Sequence, residues 1–183
     1  MEQQDGPLSD TSDTPFTIVD VFTCGGYWRN GDYSDTIMIA TAYGNSKFVA
    51  VGDYGSIASG SNGINWIIRA SGQSYSLRGV TYANNLFAAV GGSGTILTSP
   101  DTVTWTPQTS GVTDMLRGIA YGNGFWTIVS GYDLVLTSSN PANWNSSSLG
   151  NSGSLMSLAI GSSVWVAIDT SGGVFNRSVK RRN

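Results

Sequence analysis

Apolar residues in this chain fall in short runs, and each run ends at Gly, Asn, Ser, Asp or Pro. Residues 77–107 show this best, because they predict strands over Leu77–Tyr82, Leu86–Val90, Thr95–Ser99 and Val103–Pro107. Turn-forming residues separate β-branched and aromatic runs, as strands joined by tight turns require. No stretch repeats apolar residues at helical spacing, so the pattern predicts an all-β chain.

The four-strand pattern recurs every 39 residues from residue 38 to residue 175, without insertion or deletion. Because rare aromatic residues recur in register in several rows, the repetition indicates one structural unit in four copies. The aromatic rows are Tyr43, Tyr82 and Tyr121; Phe48, Phe87, Trp126 and Trp165; and Trp66, Trp105 and Trp144. The aliphatic rows are Met38, Leu77, Leu116 and Leu155; Val51, Val90, Val129 and Ile168; and Ile57, Ile96, Val135 and Val174.

The second strand of each unit is apolar on both faces, as in Phe48–Val51 and Leu86–Val90. A strand with one wet face would alternate, so continuous apolar character indicates burial on both faces. Four-stranded sheets stacked around an axis bury their strands in this way. The sequence therefore predicts a small β-propeller of four 39-residue, four-stranded blades, over about residues 36–74, 75–113, 114–152 and 153–179.

The two ends of the chain complement each other. The register predicts a fourth Trp at position 183, where the sequence has Asn183, so the last unit lacks its outermost strand. Residues 24–30, which include Trp28, form a spare strand. We expect this strand to complete the last blade and close the ring, which would remove exposed sheet edges. The rival arrangement is a homo-oligomer, in which two chains share one eight-bladed ring.

These assignments give three regions. Residues 1–15 are predicted to be a flexible acidic arm, residues 16–179 the propeller, and residues 180–183 a basic, frayed tail. The arm has neither a basic start nor an apolar run, so no signal peptide is expected. No segment contains the roughly 18 consecutive apolar residues of a membrane span, and no basic stripe indicates nucleic-acid binding.

The turns between the third and fourth strands share a local pattern. They run Ser61–Trp66, Pro100–Trp105 and Ser139–Trp144, and each has Asp or Asn, two variable residues, Asn or Thr, and then Trp. The pattern resembles the Asp-box (BNR) repeat of sialidase-like propellers and the related Ycf48-like repeats, of a kind seen in bacteriophage virion proteins. It is one residue shorter than the sialidase Asp-box and has Gly only at Gly63. The resemblance implies the fold, whereas such folds serve many functions.

Catalytic residue types are scarce. The chain has no His, its single Glu is Glu2 in the arm, and Cys24 has no His partner. Sialidases use a Glu–Tyr pair, which the repeats cannot supply. Asp53, Asp101, Asp133 and Asp169 fall in turns, where Asp favours local backbone hydrogen bonds. We therefore expect no enzymatic activity, no cofactor and no metal site.

Two groups of residues are candidates for binding. Trp66, Trp105 and Trp144 could stack on sugars, although their strict register favours packing in the core. Connections from second to third strands and between successive blades would share one face, with a composition suited to recognition. That face would gather Arg78, Arg117, Tyr54, Tyr75, Tyr132, Asp53 and Asp133. The alternative for the arginines is hydrogen bonding to neighbouring backbone carbonyls.

The composition also indicates a setting. Lys and Glu are depleted while Gly, Ser, Thr and Asn are enriched, and this composition resembles that of phage tail and head-fibre proteins. We therefore expect a structural or receptor-binding component of a bacteriophage particle, located in the virion, whose partners are other virion proteins or a host-surface glycan or receptor. The alternative is a carbohydrate-binding or assembly-factor propeller in the bacterial cytoplasm.

Overall fold

The structure, a computed structural model, describes residues 36–150, 153–162 and 164–178. These residues form four antiparallel sheets whose first strands begin 39 residues apart, at Met38, Leu77, Leu116 and Leu155. The predicted closing strand 24–30 with Trp28, the arm 1–15 and the tail 180–183 lie outside the described residues.

Each sheet is an antiparallel meander in chain order. Sheet 1 contains β1 (Met38–Gly44), β2 (Lys47–Gly52), β3 (Ile57–Gly60) and β4 (Ile67–Arg69). Sheet 2 contains β5 (Leu77–Ala83), β6 (Leu86–Gly91), β7 (Ile96–Ser99) and β8 (Thr106–Gln108). Sheet 3 contains β9 (Leu116–Gly122), β10 (Phe125–Ser130), β11 (Leu134–Asn140) and β12 (Asn143–Ser148). Sheet 4 contains β13 (Leu155–Ile160), β14 (Val164–Asp169) and β15 (Val174–Ser178).

Two-residue turns join the first and second strands of sheets 1 to 3. Both residues of each turn have positive φ angles: Asn45 and Ser46, Asn84 and Asn85, and Asn123 and Gly124. This backbone matches the right-handed twist of the flanking strands, and Asn and Gly tolerate it best. The local sequence therefore fixes the register of each hairpin.

The turn before the fourth strand of sheet 2 differs from the prediction. The sequence predicted a strand over Val103–Pro107, whereas β8 begins at Thr106. The Oδ1 atom of Asp101 accepts hydrogen bonds from the backbone N–H groups of Val103 (2.8 Å) and Thr104 (2.8 Å). These bonds hold the segment in a turn, so that its backbone cannot enter the ladder.

The repeated Trp residues complete these turns. The indole N–H of Trp105 donates to the carbonyl of Thr102 (3.3 Å), and Trp66 and Trp144 bond in the same way to Gly63 and Pro141. Trp105 is buried, which confirms the core prediction for it. Trp66 and Trp144 are half-buried; Trp144 packs against the layer between sheets 2 and 3, and Trp66 lies beside Phe48.

The core consists of apolar layers between consecutive sheets. The layer between sheets 1 and 2 joins Val49, Val51 and Ile57 to Phe87, Leu97 and Trp105. Equivalent layers lie between sheets 2 and 3 and between sheets 3 and 4. The second strand of an inner sheet contributes to two layers at once, as Phe87 and Ala88 do on opposite faces of β6. The predicted burial on both faces is confirmed for β6, whereas β14 leaves Ile168 46% exposed.

We call the face that a sheet turns toward the next sheet its forward face, and the opposite face its rear face. At two junctions a large side chain on the rear face of one sheet lies directly over a Gly on the forward face of the preceding sheet. A Cβ atom added to Gly44 would overlap the ring of Tyr82, and one added to Gly122 would overlap Ile160. The first strands pack in series, β1 on β5, β5 on β9 and β9 on β13. Strands β13 and β1 do not pack on each other in this way, so ring closure within one chain remains a prediction.

Candidate functional site

The connections predicted to share one end of the sheets are joined there by a repeated hydrogen bond. The residue that follows each second strand donates its backbone N–H to the carbonyl just before the first strand of the same sheet. The pairs are Asp53 to Ile37 (2.9 Å), Gly92 to Ser76 (2.9 Å), Gly131 to Met115 (2.7 Å) and Thr170 to Ser154 (3.0 Å). We call this end the arginine face, because it contains Arg78 and Arg117.

Both arginines occupy irregular positions in their strands. The pairing of β5 with β6 shifts at Arg78, and that of β9 with β10 shifts at Arg117. The same shift occurs at Ile39 in sheet 1 and at Met156 in sheet 4. A β-bulge leaves its extra residue unpaired and re-aims the side chain.

The four bulged residues line one depression. It has a volume of about 390 Å³, and its lining residues are Ile39, Arg78, Met115, Arg117 and Met156. Two guanidinium groups therefore stand among three apolar side chains. Such a site can hold a negatively charged oxygen group next to hydrocarbon.

The arginines have hydrogen-bond donors to spare. Arg78 lies near Asp53, with 3.7 Å between the nearest nitrogen and oxygen, which is an ion pair too long for a hydrogen bond. Arg117 donates to the thioether sulfur of Met156, a weak acceptor. The Nε atoms of both arginines are buried and have no hydrogen-bond partner. A buried donor without an acceptor carries a desolvation cost, which a bound anion would relieve.

The predicted tyrosines lie outside the lining of the depression. Tyr54 and Tyr132 are exposed at 72% and 73%, in the connections after β2 and β10. Tyr75 is also exposed and packs beside Gly92. A Cβ atom added to Gly92 would lie 3.3 Å from the Cβ atom of Tyr75. The tyrosines therefore offer contact area around the arginine face.

Asp133 is engaged locally. It has a φ angle of 68°, at the position occupied by Gly55, Gly94 and Gly172 in the other sheets. Its Oδ2 atom accepts hydrogen bonds from Ser148 Oγ and from the backbone N–H of Gly150. These bonds hold the connection after β12, Asp133 is not among the residues that line the depression, and its Oδ1 atom is buried without a hydrogen-bond partner.

Sequence reasoning identified the arginines but missed their apolar neighbours. Ile39, Met115 and Met156 were not among the residues predicted for this face. A signal was available, because the four positions share one place in the repeat. The bulge that aims them together leaves no mark in the pattern of apolar and polar residues.

The described residues hold no group of three or more His, Cys, Asp or Glu that could bind a metal ion. Within the same ranges, no helix is long and apolar enough to cross a membrane.

No protein-family model matches this sequence, and no curated protein matches it. Solved structures do match. The computationally designed Ika4 protein matches with a TM-score of 0.66 at 10% identity, over 80% of this chain and 93% of its own. Among natural proteins, YCF48 bound to a D1 peptide matches with a TM-score of 0.61 at 18% identity, over 74% of this chain and 47% of its own.

A further match is virginiamycin B lyase from Staphylococcus aureus, with a TM-score of 0.64 at 12% identity, over 83% of this chain and 59% of its own. The fold is that of the β-propellers. The chain spans about half the length of these two natural propellers. At such identities the likeness concerns the fold alone, and activities do not transfer.

Proposed function

We propose that this β-propeller is a non-enzymatic binding module whose arginine face holds a carboxylate of its partner. The observation that carries the proposal is the pair of buried, unpartnered Nε atoms of Arg78 and Arg117 at one depression. Guanidinium groups bind carboxylates through paired N–H donors. The three apolar lining residues favour a carboxylate attached to a larger organic group over a free inorganic ion.

The inventory of residue types supports a binding role over catalysis. The chain has no His, and its single Glu is Glu2. General acid–base chemistry needs titratable groups held together with shifted pKa values. YCF48, a propeller of similar fold, has been solved with a bound peptide, which is a precedent for protein recognition by this architecture.

The setting that we propose is a bacteriophage particle, in which the chain is a structural or receptor-binding component. Its support is the composition, which is poor in Lys and Glu and rich in Gly, Ser, Thr and Asn. The carboxylate would then belong to another virion protein or to an acidic glycan on the host surface. A carbohydrate-binding or assembly-factor propeller of a bacterial cell is the alternative.

We also propose that each 39-residue repeat forms one blade and that residues 24–30 supply the fourth strand of sheet 4. Sheet 4 has three strands among the described residues, and its last strand, β15, exposes Val174. Trp28 would take the place that Trp66, Trp105 and Trp144 occupy in the other sheets. The resemblance of the turns to Asp-box repeats supports the same assignment.

The binding proposal is tested by NMR titration, with poly-glutamate and a sialic-acid trisaccharide as probes. We expect the Nε–H signals of Arg78 and Arg117 to shift with one of the two probes. The double variant Arg78→Gln, Arg117→Gln should lose this binding. Arg177→Gln in the exposed strand β15 removes one positive charge elsewhere and should retain it. Equal binding by the double variant would exclude the arginine face.

The particle setting has a separate test. Mass spectrometry of virions purified from the source of this sequence should detect the chain in stoichiometric amounts. If the chain is found in the host cell fraction and not in particles, the bacterial alternative is favoured.

A further inference from the structure

Met156 is the most exposed of the methionines in the described residues. Its side chain is 42% exposed, whereas Met38 and Met115 are half-buried. It occupies the bulged position of β13 and lines the depression on the arginine face. It also lies outside the apolar layer between sheets 3 and 4. A change of chemistry at this side chain would therefore alter the depression without disturbing the core.

The thioether sulfur of Met156 lies against a cation. The Nη1 atom of Arg117 donates to this sulfur, and Arg117 makes no other side-chain hydrogen bond within the described ranges. A thioether is a weak acceptor, so most of the hydrogen-bonding capacity of the guanidinium group is unused. The Nε atom of Arg117 is buried and has no partner. A stronger acceptor at position 156 would therefore be bound by Arg117 in place of the sulfur.

We propose that Met156 is an oxidation site that controls binding at the arginine face. Hydrogen peroxide transfers one oxygen atom to the Sδ atom: the O–O bond breaks, the S=O bond forms, the sulfur gives up two electrons, and the other oxygen leaves with both protons as water. The product, methionine sulfoxide, is polar, and reductase enzymes convert it back to methionine. This regulation rests on the function proposed above, because it concerns the same depression.

The sulfoxide competes with a ligand carboxylate for the same donors. Its oxygen is bonded to the sulfur that Arg117 already contacts, so it lies within reach of the guanidinium N–H groups. A hydrogen bond from a charged donor is stronger than one between neutral groups. The added oxygen also makes one of the three apolar lining side chains polar, which disfavours the hydrocarbon part of the ligand. Both effects lower the affinity for a carboxylate, and reduction of the sulfoxide restores it.

The first experiment determines whether Met156 is oxidised before Met38 and Met115. Trypsin places these three methionines on separate peptides, residues 118–177, 30–47 and 79–117. With limiting hydrogen peroxide, mass spectrometry should find Met156 oxidised first, because the reagent reaches an exposed sulfur most readily. Fragmentation of the peptide localises the added oxygen to Met156, and circular dichroism of the oxidised chain should be unchanged. Earlier oxidation of Met38 or Met115 would overturn the proposal.

The second experiment compares carboxylate binding before and after oxidation, with poly-glutamate and the sialic-acid trisaccharide as probes. The probe that binds the reduced chain should bind the oxidised chain about tenfold more weakly, because an internal hydrogen bond to a charged group must first be broken. Treatment with methionine sulfoxide reductases should restore the affinity. Peroxide should not change the affinity of Met156→Leu from its own value before treatment, whereas Met38→Leu should lose affinity as the wild-type chain does. Equal affinities of the reduced and oxidised wild-type chains would show that the proposal is wrong.

A third measurement needs no ligand and separates this proposal from the proposed function. The NMR signal of the Nε–H group of Arg117 should shift when Met156 is oxidised, and that of Arg177 in β15 should not. An absent shift would contradict the contact between the sulfoxide and Arg117, and the proposal would fail whatever the probes do. Binding of neither probe to the reduced chain would instead contradict the proposed carboxylate binding, and the regulatory role would fail with it.

Discussion

Sheets 2 and 4 are built from the same repeat and differ in what lies next to them. Sheet 2 packs on both faces, against sheets 1 and 3, and its Val90 and Ile96 are buried. Among the described residues, sheet 4 packs through its rear face, and Ile168 and Val174 are exposed at the equivalent positions. The pairing register within the two sheets is nonetheless the same, with a bulge at Arg78 and at Met156. The repeated sequence therefore determines the strand pairing within a sheet. The neighbouring sheet determines how much each side chain contributes to the free energy of unfolding.

The largest contrast is expected for the repeated Trp. Trp105→Ala should lower the free energy of unfolding by about 3–5 kcal/mol, the range for large aromatic truncations in cores. Trp66→Ala removes the same atoms from a half-buried site on sheet 1, so its cost should be about half as large. Urea denaturation of the two variants measures both values. Equal losses would mean that the neighbouring sheet contributes little.

An aliphatic pair compares sheets 2 and 4 directly. Ile96→Ala empties a fully packed site and should cost about 2–4 kcal/mol. Val174→Ala at the equivalent position in sheet 4, which is 65% exposed, should change stability by less than about 0.5 kcal/mol. Thermal denaturation at matched protein concentration is the appropriate measurement. A large loss for Val174→Ala would show that this side chain is covered in the folded protein and would contradict the comparison.

The equivalent glycines Gly122 in sheet 3 and Gly161 in sheet 4 provide a third comparison. Gly122→Ala would drive a methyl group into Ile160 and should cost about 1–3 kcal/mol through overpacking. Gly161→Ala meets, in the described part of the chain, only an ordinary contact with Val164 and should leave the free energy of unfolding nearly unchanged. Chemical denaturation of each variant gives the comparison. A loss for Gly161→Ala as large as that for Gly122→Ala would contradict the difference in packing between the two positions.

The smallest expected effect concerns acid. Hydrogen bonds from the backbone N–H groups of Thr104 and then Val103 hold the pKa of Asp101 below its usual range. The carboxylate therefore stabilises the folded state above about pH 4, and this contribution is lost as the pH falls through the lower pKa of the folded state. Asp101→Asn, which copies Asn62 and Asn140 of the neighbouring turns, should remove this part of the pH dependence. An unchanged acid denaturation profile would contradict the assignment.

The rows of aromatic and aliphatic residues predict the four sheets well, because a 39-residue spacing places each side chain in the same layer of its sheet. The start of β8 is the instructive miss. Val103, Thr104 and Trp105 have high strand propensity, but the Asp101 carboxylate captures two backbone N–H groups that a ladder would need. The hydrogen bonds of the Asp101 side chain thus set the start of β8 and override the strand propensity of residues 103–105.

The candidate site was predictable in part. Arg78 and Arg117 could be placed at one end of the sheets, because strand order fixes where each connection lies. The orientation of the two arginine side chains could not be predicted, because a β-bulge depends on the pairing between strands. Asp133 illustrates the same limit, because only the structure reveals that it occupies a left-handed position that Gly fills in the other sheets.

The bulged position has a consequence for how such a protein can change. In each sheet it is the one residue of the first strand released from its partner, and it accommodates Ile39, Arg78, Arg117 and Met156 with the same backbone irregularity. Substitutions there alter the chemistry around the depression while the ladder on either side keeps its pairs. The four positions, one per repeat, can therefore be substituted independently of one another. New binding specificities can arise through single substitutions that have little effect on the stability of the fold.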